Sequence, residues 1–360
     1  MLLILGGAHS GRHAFFNTLG VAEADCATVT AFDAHAFAAE GTTPQLSTVC
    51  ARLSTYRVVI ATERGLGIIP LDACDRTARE ENGRLNIALA SLADCVVLVV
   101  AGIPRVIKGA LAASLSARPV YLAVFRHGAT EANLARRYAG GGTDVPLCSE
   151  GRKQVQAARE AFAAFAARCA PSVRAALLSP ALVYVSPLQR CTETAALLFP
   201  ASEQRAVADF RELDFGAFEN KTADELLASP ETRDAYTAFI DCAAHAGANG
   251  TVRCPPRATG AGESVAQFVA RTTRAFSDLM RASSEATTAA VASAGASPRV
   301  IIVVAHGGTQ MALFNRFFAL PPAATVSEIV PLPSQSAATA SSYYAWQSDC
   351  AGFRFGRVAL

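Results

Sequence analysis

Arg126-His127-Gly128-Ala129-Thr130, Ser186-Pro187-Leu188-Gln189-Arg190 and His306-Gly307-Gly308 each follow directly on a run of apolar residues. Together they bring two arginines and two histidines to places where a loop leaves a strand. A guanidinium offers a planar fork of donors that matches the oxygens of a compact dianion, and imidazole adds further donors. A phosphoryl group is the guest such a pocket would take. One histidine after one strand is most often a hydrogen-bonded loop residue, but three clusters arriving together make a site.

For them to converge, the apolar runs must lie side by side. Val120 to Phe125, Leu182 to Val185 and Val300 to Val304 are rich in β-branched residues and read as strands, with a further strand near Val207. Helices are expected between them. One runs from about Ser149 to Cys169, with Val155, Ala158, Phe162, Phe165 and Cys169 as its apolar stripe, Ser149 as its cap and Pro171 as its stop. Others are expected at Leu188 to Leu198 and from Ser264 to about Met280, and the Ala/Ser/Thr-rich tract Ala282 to Ser297 reads as an exposed, mobile connection. Strands alternating with helices imply a mostly parallel sheet whose ligand site lies off the carboxyl ends of its strands.

The chain before this has the same grammar. Leu2 to Leu5, Val58 to Ala61 and Cys95 to Val100 read as strands, a glycine loop and a helix to about Leu19 follow the first, and Leu71 to Leu92 carries a helical stripe. The small and polar stretch 109–118 reads as a linker, which divides the chain into 1–108 and 119–360. The length of 360 residues suits two domains, and 51% hydrophobic against 17% charged residues excludes a disordered chain. With a net charge of +2, three lysines and no basic run, no nucleic-acid partner is expected. No apolar stretch is long enough for a membrane span and Met1 to Gly6 lacks a cationic start, so the expected location is cytoplasmic; ten cysteines without a CxxC pair fit a reducing compartment. Oligomeric state is not readable.

The segment 119–357 resembles the histidine phosphatase superfamily, which includes phosphoglycerate mutases, fructose bisphosphatases and α-ribazole phosphatases. Arg126 to Asn133 looks like its RHG(E/A)T-x-x-N signature, Pro146-Leu147 to Gly151 like PL-(T/S)-x-x-G, and Ser186 to Ala195 like SPLxRxxxTA. Glu212-Leu213-Asp214-Phe215-Gly216 with Glu219 resembles E-(I/L)-x-x-G-x-x-E, Gly262-Glu263-Ser264 the GES before a long helix, and His306-Gly307-Gly308 the closing histidine motif. Asn220 departs from the family's usual glycine. The resemblance implies a three-layer α/β/α fold and a phosphomonoesterase that works through a phosphohistidine. His127 would attack phosphorus, Arg126, Arg190 and His306 would balance the charge on the equatorial oxygens, and Glu212 would protonate the leaving alkoxide. Gly128, Thr130, Asn133, Ser186 and Gly307 would line the phosphate site, with Gly128 letting the backbone approach the phosphate. No metal and no cofactor is implied for this reaction.

The segment 1–108 resembles adenosylcobinamide kinase/guanylyltransferase in Glu63 to Pro70, Gly83-Arg84-Leu85-Asn86 and Val99 to Pro104, while Gly6-x4-Gly11-Arg12-His13 echoes a Walker A loop. Arg12 and His13 stand where that loop has its lysine and its magnesium-binding hydroxyl, and the stretch before Glu63 is shortened, so this unit reads as a degenerate P-loop-like domain. GTP or ATP binding at Gly6, Gly11, Arg12 and His13 remains open. The pairing of the two resemblances points to a small phosphomonoester partner of the α-ribazole 5′-phosphate type. The alternatives are a general sugar-phosphate or nucleotide phosphatase with a structural N-terminal domain, and an N-terminal domain that binds a nucleotide or corrinoid and regulates the enzyme.

Overall fold

The computed structural model describes residues 1–29, 46–64, 69–116, 119–256, 261–290, 298–317 and 347–358. Among these residues ten strands form two separate five-stranded sheets. The first contains β1 (Leu2–Gly6), β2 (Cys26–Val29), β3 (Val58–Thr62), β4 (Cys95–Val100) and β5 (Ile103–Lys108), in the order β2-β3-β1-β4-β5. The second contains β6 (Val120–Arg126), β7 (Leu182–Val185), β8 (Glu203–Ala206), β9 (Arg299–Ala305) and β10 (Phe353–Arg357), in the order β10-β6-β9-β7-β8. All pairings are parallel except those of β5 and β10, which close one edge of each sheet antiparallel.

The apolar runs are continuous because the inner strands of each sheet are covered on both faces, whereas the edge strands β5 and β8 are exposed. On the second sheet Tyr121, Ala123 and Phe125 pack with Val155, Phe162 and Ala166 of the helix Ser149–Ala167 and with Cys191, Ala195 and Leu198 of the helix Gln189–Leu198. Their neighbours Val120, Leu122 and Val124 face the other way, onto Phe276 of the helix Val265–Ala290 and onto Leu313 and Phe314 of the helix Gly307–Phe317. The first sheet repeats this arrangement, with Leu3 and Leu5 on one face and Leu2 and Ile4 on the other.

Several elements differ from expectation. The cap of the helix Ser149–Ala167 is Cys148, whose sulfur accepts from the amide of Gly151, and Pro171 opens the next helix, Pro171–Leu178, at its first position, where its missing N–H costs nothing. The helix expected to end near Met280 continues to Ala290, so the first half of the tract read as a mobile connection is helical; 291–297 lie outside the described residues. Alanine has the highest helix propensity of all residues, and composition misled here. The linker 109–118 contains a short helix, Leu111–Ser116. The strand near Val207 ends at Ala206. The short strands β2, β5 and β10 and the helices Ala223–Ala228 and Pro230–Ala246 had no expectation at all. Those two helices carry Leu226, Tyr236, Phe239 and Ala243 into a third cluster with Leu213, Phe218 and Phe268, beside the carboxyl ends of the second sheet.

The two halves touch through specific polar contacts. Tyr121 donates its hydroxyl to the Ser54 carbonyl at 2.8 Å, Thr55 Oγ1 accepts from the Ala170 amide at 3.0 Å, and Arg357 pairs with Asp94 at 2.7 Å. No helix among the described residues is long and apolar enough to cross a membrane.

Candidate active site

The sheet order makes the convergence inevitable. β9 lies between β6 and β7 and is parallel to both, so Arg126 stands opposite Ala305 and Val185 opposite Val304. The ladder runs one step beyond the strands, with the His127 amide donating to Ala305 O at 2.9 Å and the Ser186 amide to Val304 O at 3.0 Å. His127, Ser186 and His306 therefore leave the sheet side by side, and the two imidazole centroids stand 5.2 Å apart.

His127 is 5% exposed and its Nδ1 lies 2.7 Å from the Gly128 carbonyl oxygen. A carbonyl can only accept, so Nδ1 carries the hydrogen and the neutral ring has its lone pair on Nε2. Burial, and then the positive charges of Arg190 and Arg126, hold the His127 pKa well below the ordinary histidine value of 6.5, although the Gly128 hydrogen bond acts against this. His306 is fully buried, and burial together with Arg190, His127 and both Arg126 and Arg271 lowers it well below 6.5 too. Its Nε2 is 2.8 Å from Ser186 Oγ, so the site uses Ser186 to orient His306.

Arg190, in the first turn of the helix Gln189–Leu198, is 0% exposed. Its Nη1 donates to Thr143 O at 2.7 Å and its Nη2 to Gly140 O at 3.1 Å and Ala139 O at 3.2 Å, while Nε has no partner among the described residues. Arg126 is anchored through Nη1 to Ser348 O at 2.8 Å, and its buried Nε also has no partner among those residues. Two guanidinium groups held from behind, each with a spare buried N–H, suit a ligand rich in acceptors. Glu212 sits at the start of the helix Gly307–Phe317, accepting from the Leu213 amide at 3.0 Å and the Gly308 amide at 3.4 Å. This puts the carboxyl beside the amide two residues beyond His306. It also lines a cleft of about 630 Å³ bounded by Arg211, Arg253, Arg271, Glu263 and Gln267.

The remaining expected residues also shape the local backbone. A Cβ on Gly128 would stand 2.6 Å from Gly151 O and 2.8 Å from Val155, and the Gly128 amide already donates to Thr194 Oγ1 at 3.1 Å. The packing of the helix Ser149–Ala167 by itself requires glycine there. Thr130 and Asn133 cap the short helix Glu131–Leu134 reciprocally, which fixes the loop after His127. Gly307 makes room for Gln347, which a Cβ would approach to 2.6 Å. Thr194 and Gln154, whose side chains take the amides of Gly128 and Ala129, were not singled out from the sequence. Thr194 stood inside the quoted Ser186 to Ala195 stretch, but Gln154 left no signal. Asn220 has φ 62°, the left-handed region that asparagine tolerates better than other residues with a side chain, which is how it replaces glycine.

In the first sheet, Gly6 and Gly11 are explained by backbone contacts: Cβ atoms there would reach Val99 O at 2.5 Å and Gly102 Cα at 2.9 Å, and Gly11 has φ 93°. Arg12 donates to Thr62 Oγ1 at 3.0 Å and His13 is exposed. One nitrogen of the Arg12 guanidinium is thus engaged by a hydroxyl, while the hydroxyl of Ser10, in the same loop, is buried without a hydrogen-bond partner among the described residues. Among the described residues no group of three or more His, Cys, Asp or Glu side chains could hold a metal ion.

The family model of the histidine phosphatase superfamily, branch 1, matches residues 122–339, more than half of the chain. The chain belongs to this family. As a histidine phosphatase it is an enzyme of phosphate ester chemistry, fused to a segment, 24–107, that matches the model of cobinamide kinase / cobinamide phosphate guanyltransferase. The phosphatase is similar in fold to the α-ribazole phosphatase of Shigella flexneri (19% identity, 67% of this chain and 94% of that one, TM-score 0.44). A mycobacterial glucosyl-3-phosphoglycerate phosphatase (23%, 66% and 90%, 0.44) and the phosphoglycerate mutase of Thermus thermophilus (23%, 55% and 84%, 0.34) are further similar structures. No protein of curated function matches this histidine phosphatase.

Proposed function

We propose that the chain is a phosphomonoesterase in which His127 is the nucleophile and Glu212 the general acid, acting on an α-ribazole 5′-phosphate-like substrate. The observation that carries the mechanism is the tautomer of His127: with Nδ1 bound to the Gly128 carbonyl, the Nε2 lone pair is free, and burial keeps the ring neutral. Nε2 forms a bond to phosphorus as the ester P–O bond breaks, and the leaving oxygen takes its proton from Glu212. Water then attacks the phosphohistidine, giving its proton to the Glu212 carboxylate and returning the electron pair of the N–P bond to Nε2. Arg126 and Arg190 balance the charge on the equatorial oxygens through N–H groups already stripped of water, where each interaction is stronger than in solution. His306, oriented by Ser186, adds a donor, while Gly128, Thr130, Asn133 and Gly307 hold the loops that frame the phosphate.

The finer substrate rests on the fusion. A phosphatase joined to a cobinamide kinase/guanyltransferase-like segment, with the boundary we place in 109–118, acts by this reading on the nucleotide side of cobamide assembly. A second reading, a general sugar-phosphate phosphatase, is favoured by the cleft beyond Glu212, whose described lining is arginine, acidic, amide or small. Such a surface suits a hydroxyl-rich leaving group. The deciding experiment is kcat/KM for a panel of phosphomonoesters that includes α-ribazole 5′-phosphate and simple sugar phosphates. A preference for α-ribazole 5′-phosphate of tenfold or more supports the first reading, and indifference among sugars supports the second.

A further inference from the structure

The loop 139–143 supplies none of the groups assigned to the reaction, yet it lies between two parts of the site. Its carbonyl oxygens at Ala139, Gly140 and Thr143 hold Arg190. From the other side it is held by one carboxylate. Glu219, 7% exposed, accepts from the amides of Gly140 at 2.9 Å and Gly142 at 3.1 Å, from the hydroxyl of Thr143, and from the Phe215 amide at 3.3 Å on its own segment. The loop has no room to shift towards that segment: a Cβ at Gly140 would lie 2.2 Å from Leu213 O, and one at Gly141 would lie 2.4 Å from Glu212 O.

The Ala139 carbonyl and the Gly140 amide belong to the same peptide group. In a planar trans peptide the C=O and N–H point in opposite directions, so Arg190 and Glu219 grip opposite edges of one rigid plate. Rotating the N–H away from Glu219 rotates the carbonyl away from Arg190. The two glutamates of the motif thus serve the site differently: Glu212 faces the Gly308 amide, two residues beyond His306, whereas Glu219 is engaged by four donors around the loop.

We propose that Glu219 is a positioning residue that sets the Arg190 guanidinium for the phosphoryl group through the peptide plane between Ala139 and Gly140. The inference rests on Arg190 being a phosphate-binding group. Displacement of a catalytic group by about an ångström costs up to about a hundredfold, so Glu219→Gln, which replaces one acceptor oxygen by a donor, should cost between tenfold and a hundredfold.

The test uses the full chain and four variants: Glu219→Gln, Thr143→Val, Arg190→Lys and the Glu219→Gln/Arg190→Lys pair. The readouts are the Kd of inorganic phosphate by calorimetry and kcat/KM on an aryl and an alkyl phosphate. Glu219→Gln is expected to weaken phosphate binding and to lower kcat/KM equally on both esters, with Thr143→Val doing the same to a smaller extent. In the Arg190→Lys background Glu219→Gln should add less than about twofold, because the two act as one unit. Additive losses, or a loss confined to the alkyl ester, would overturn the proposal. Should Glu219→Gln fail to fold, Thr143→Val, which removes one of the four donors, decides by the same criteria. If Arg190→Lys weakens phosphate and the loop variants do not, the positioning role alone is wrong; if Arg190→Lys has no effect either, the reading of the phosphate pocket falls first.

Discussion

Glu212→Gln separates the proposed proton donation from the hydrogen bonds that this residue accepts. The side chain accepts two amide hydrogen bonds, from Leu213 at 3.0 Å and Gly308 at 3.4 Å. A glutamine oxygen keeps one of these, and its NH2 meets the other N–H as donor against donor. Loss of one ordinary hydrogen bond costs about 1 kcal/mol, or roughly fivefold in rate if all of it is felt in the transition state. That penalty is blind to the substrate. General acid help is worth about 10² to 10⁴-fold, and it is needed by an alkoxide that leaves poorly but hardly at all by p-nitrophenolate. The variant should therefore retain p-nitrophenyl phosphate activity to within about tenfold, while kcat/KM on a sugar phosphate falls by a further factor of about 10² or more. Steady-state kinetics on the two esters with the same enzyme preparation make the comparison. Equal losses on both would show that Glu212 shapes the site without giving the proton, and the assignment of the acid would have to be withdrawn.

His127→Ala should abolish turnover together with an acid-labile, base-stable phosphoenzyme; labelled phosphate still trapped on the variant would identify another nucleophile. Stability should fall on acidification below the ordinary histidine value of 6.5, since both His127 and His306 are held well below it in the native state while the unfolded chain takes up a proton at each. The slope they add is at most about 1.4 kcal/mol per pH unit each, read as the difference in urea midpoints between pH 7 and 5 for the native protein and for a His127→Gln/His306→Gln variant; identical slopes would mean the rings are not kept neutral by burial. Gly128→Ala should cost about 1 to 3 kcal/mol of stability through its collision with Gly151 O, and a melting temperature unchanged from the native protein would contradict this. Arg12→Ala should leave phosphatase kcat/KM within about twofold, because Arg12 bonds Thr62, a residue of the other sheet; a larger loss would join the two halves functionally.

Elements whose information is local were readable in advance. The strands β6, β7 and β9 are buried on both faces, so burial left them as unbroken apolar runs, and the helix Ser149–Ala167 announced itself through Val155, Phe162 and their neighbours at helical spacing. β10 was not readable, since Phe353-Arg354-Phe355-Gly356-Arg357 owes its strand to pairing with β6, more than two hundred residues earlier. The helix Val265–Ala290 ran past its expected end because an Ala/Ser/Thr composition is compatible with either a helix or an exposed coil.

The same division holds for the site. The amino-acid sequence by itself determined which groups are available: His127, His306, Arg126 and Arg190 at strand ends, and two glutamates seven residues apart in Glu212 and Glu219. Only the tertiary structure decided what each one does. His127 keeps the Nε2 lone pair free because the Gly128 carbonyl claims Nδ1, and burial beside two arginines holds its pKa well below 6.5. Glu212 and Glu219 differ because one meets the helix that follows His306 and the other meets a loop eighty residues earlier in the chain. Hydrogen-bond partners and the loss of solvent set the tautomer, the charge and the reach of a side chain, and these come from residues that are neighbours in space and strangers in sequence.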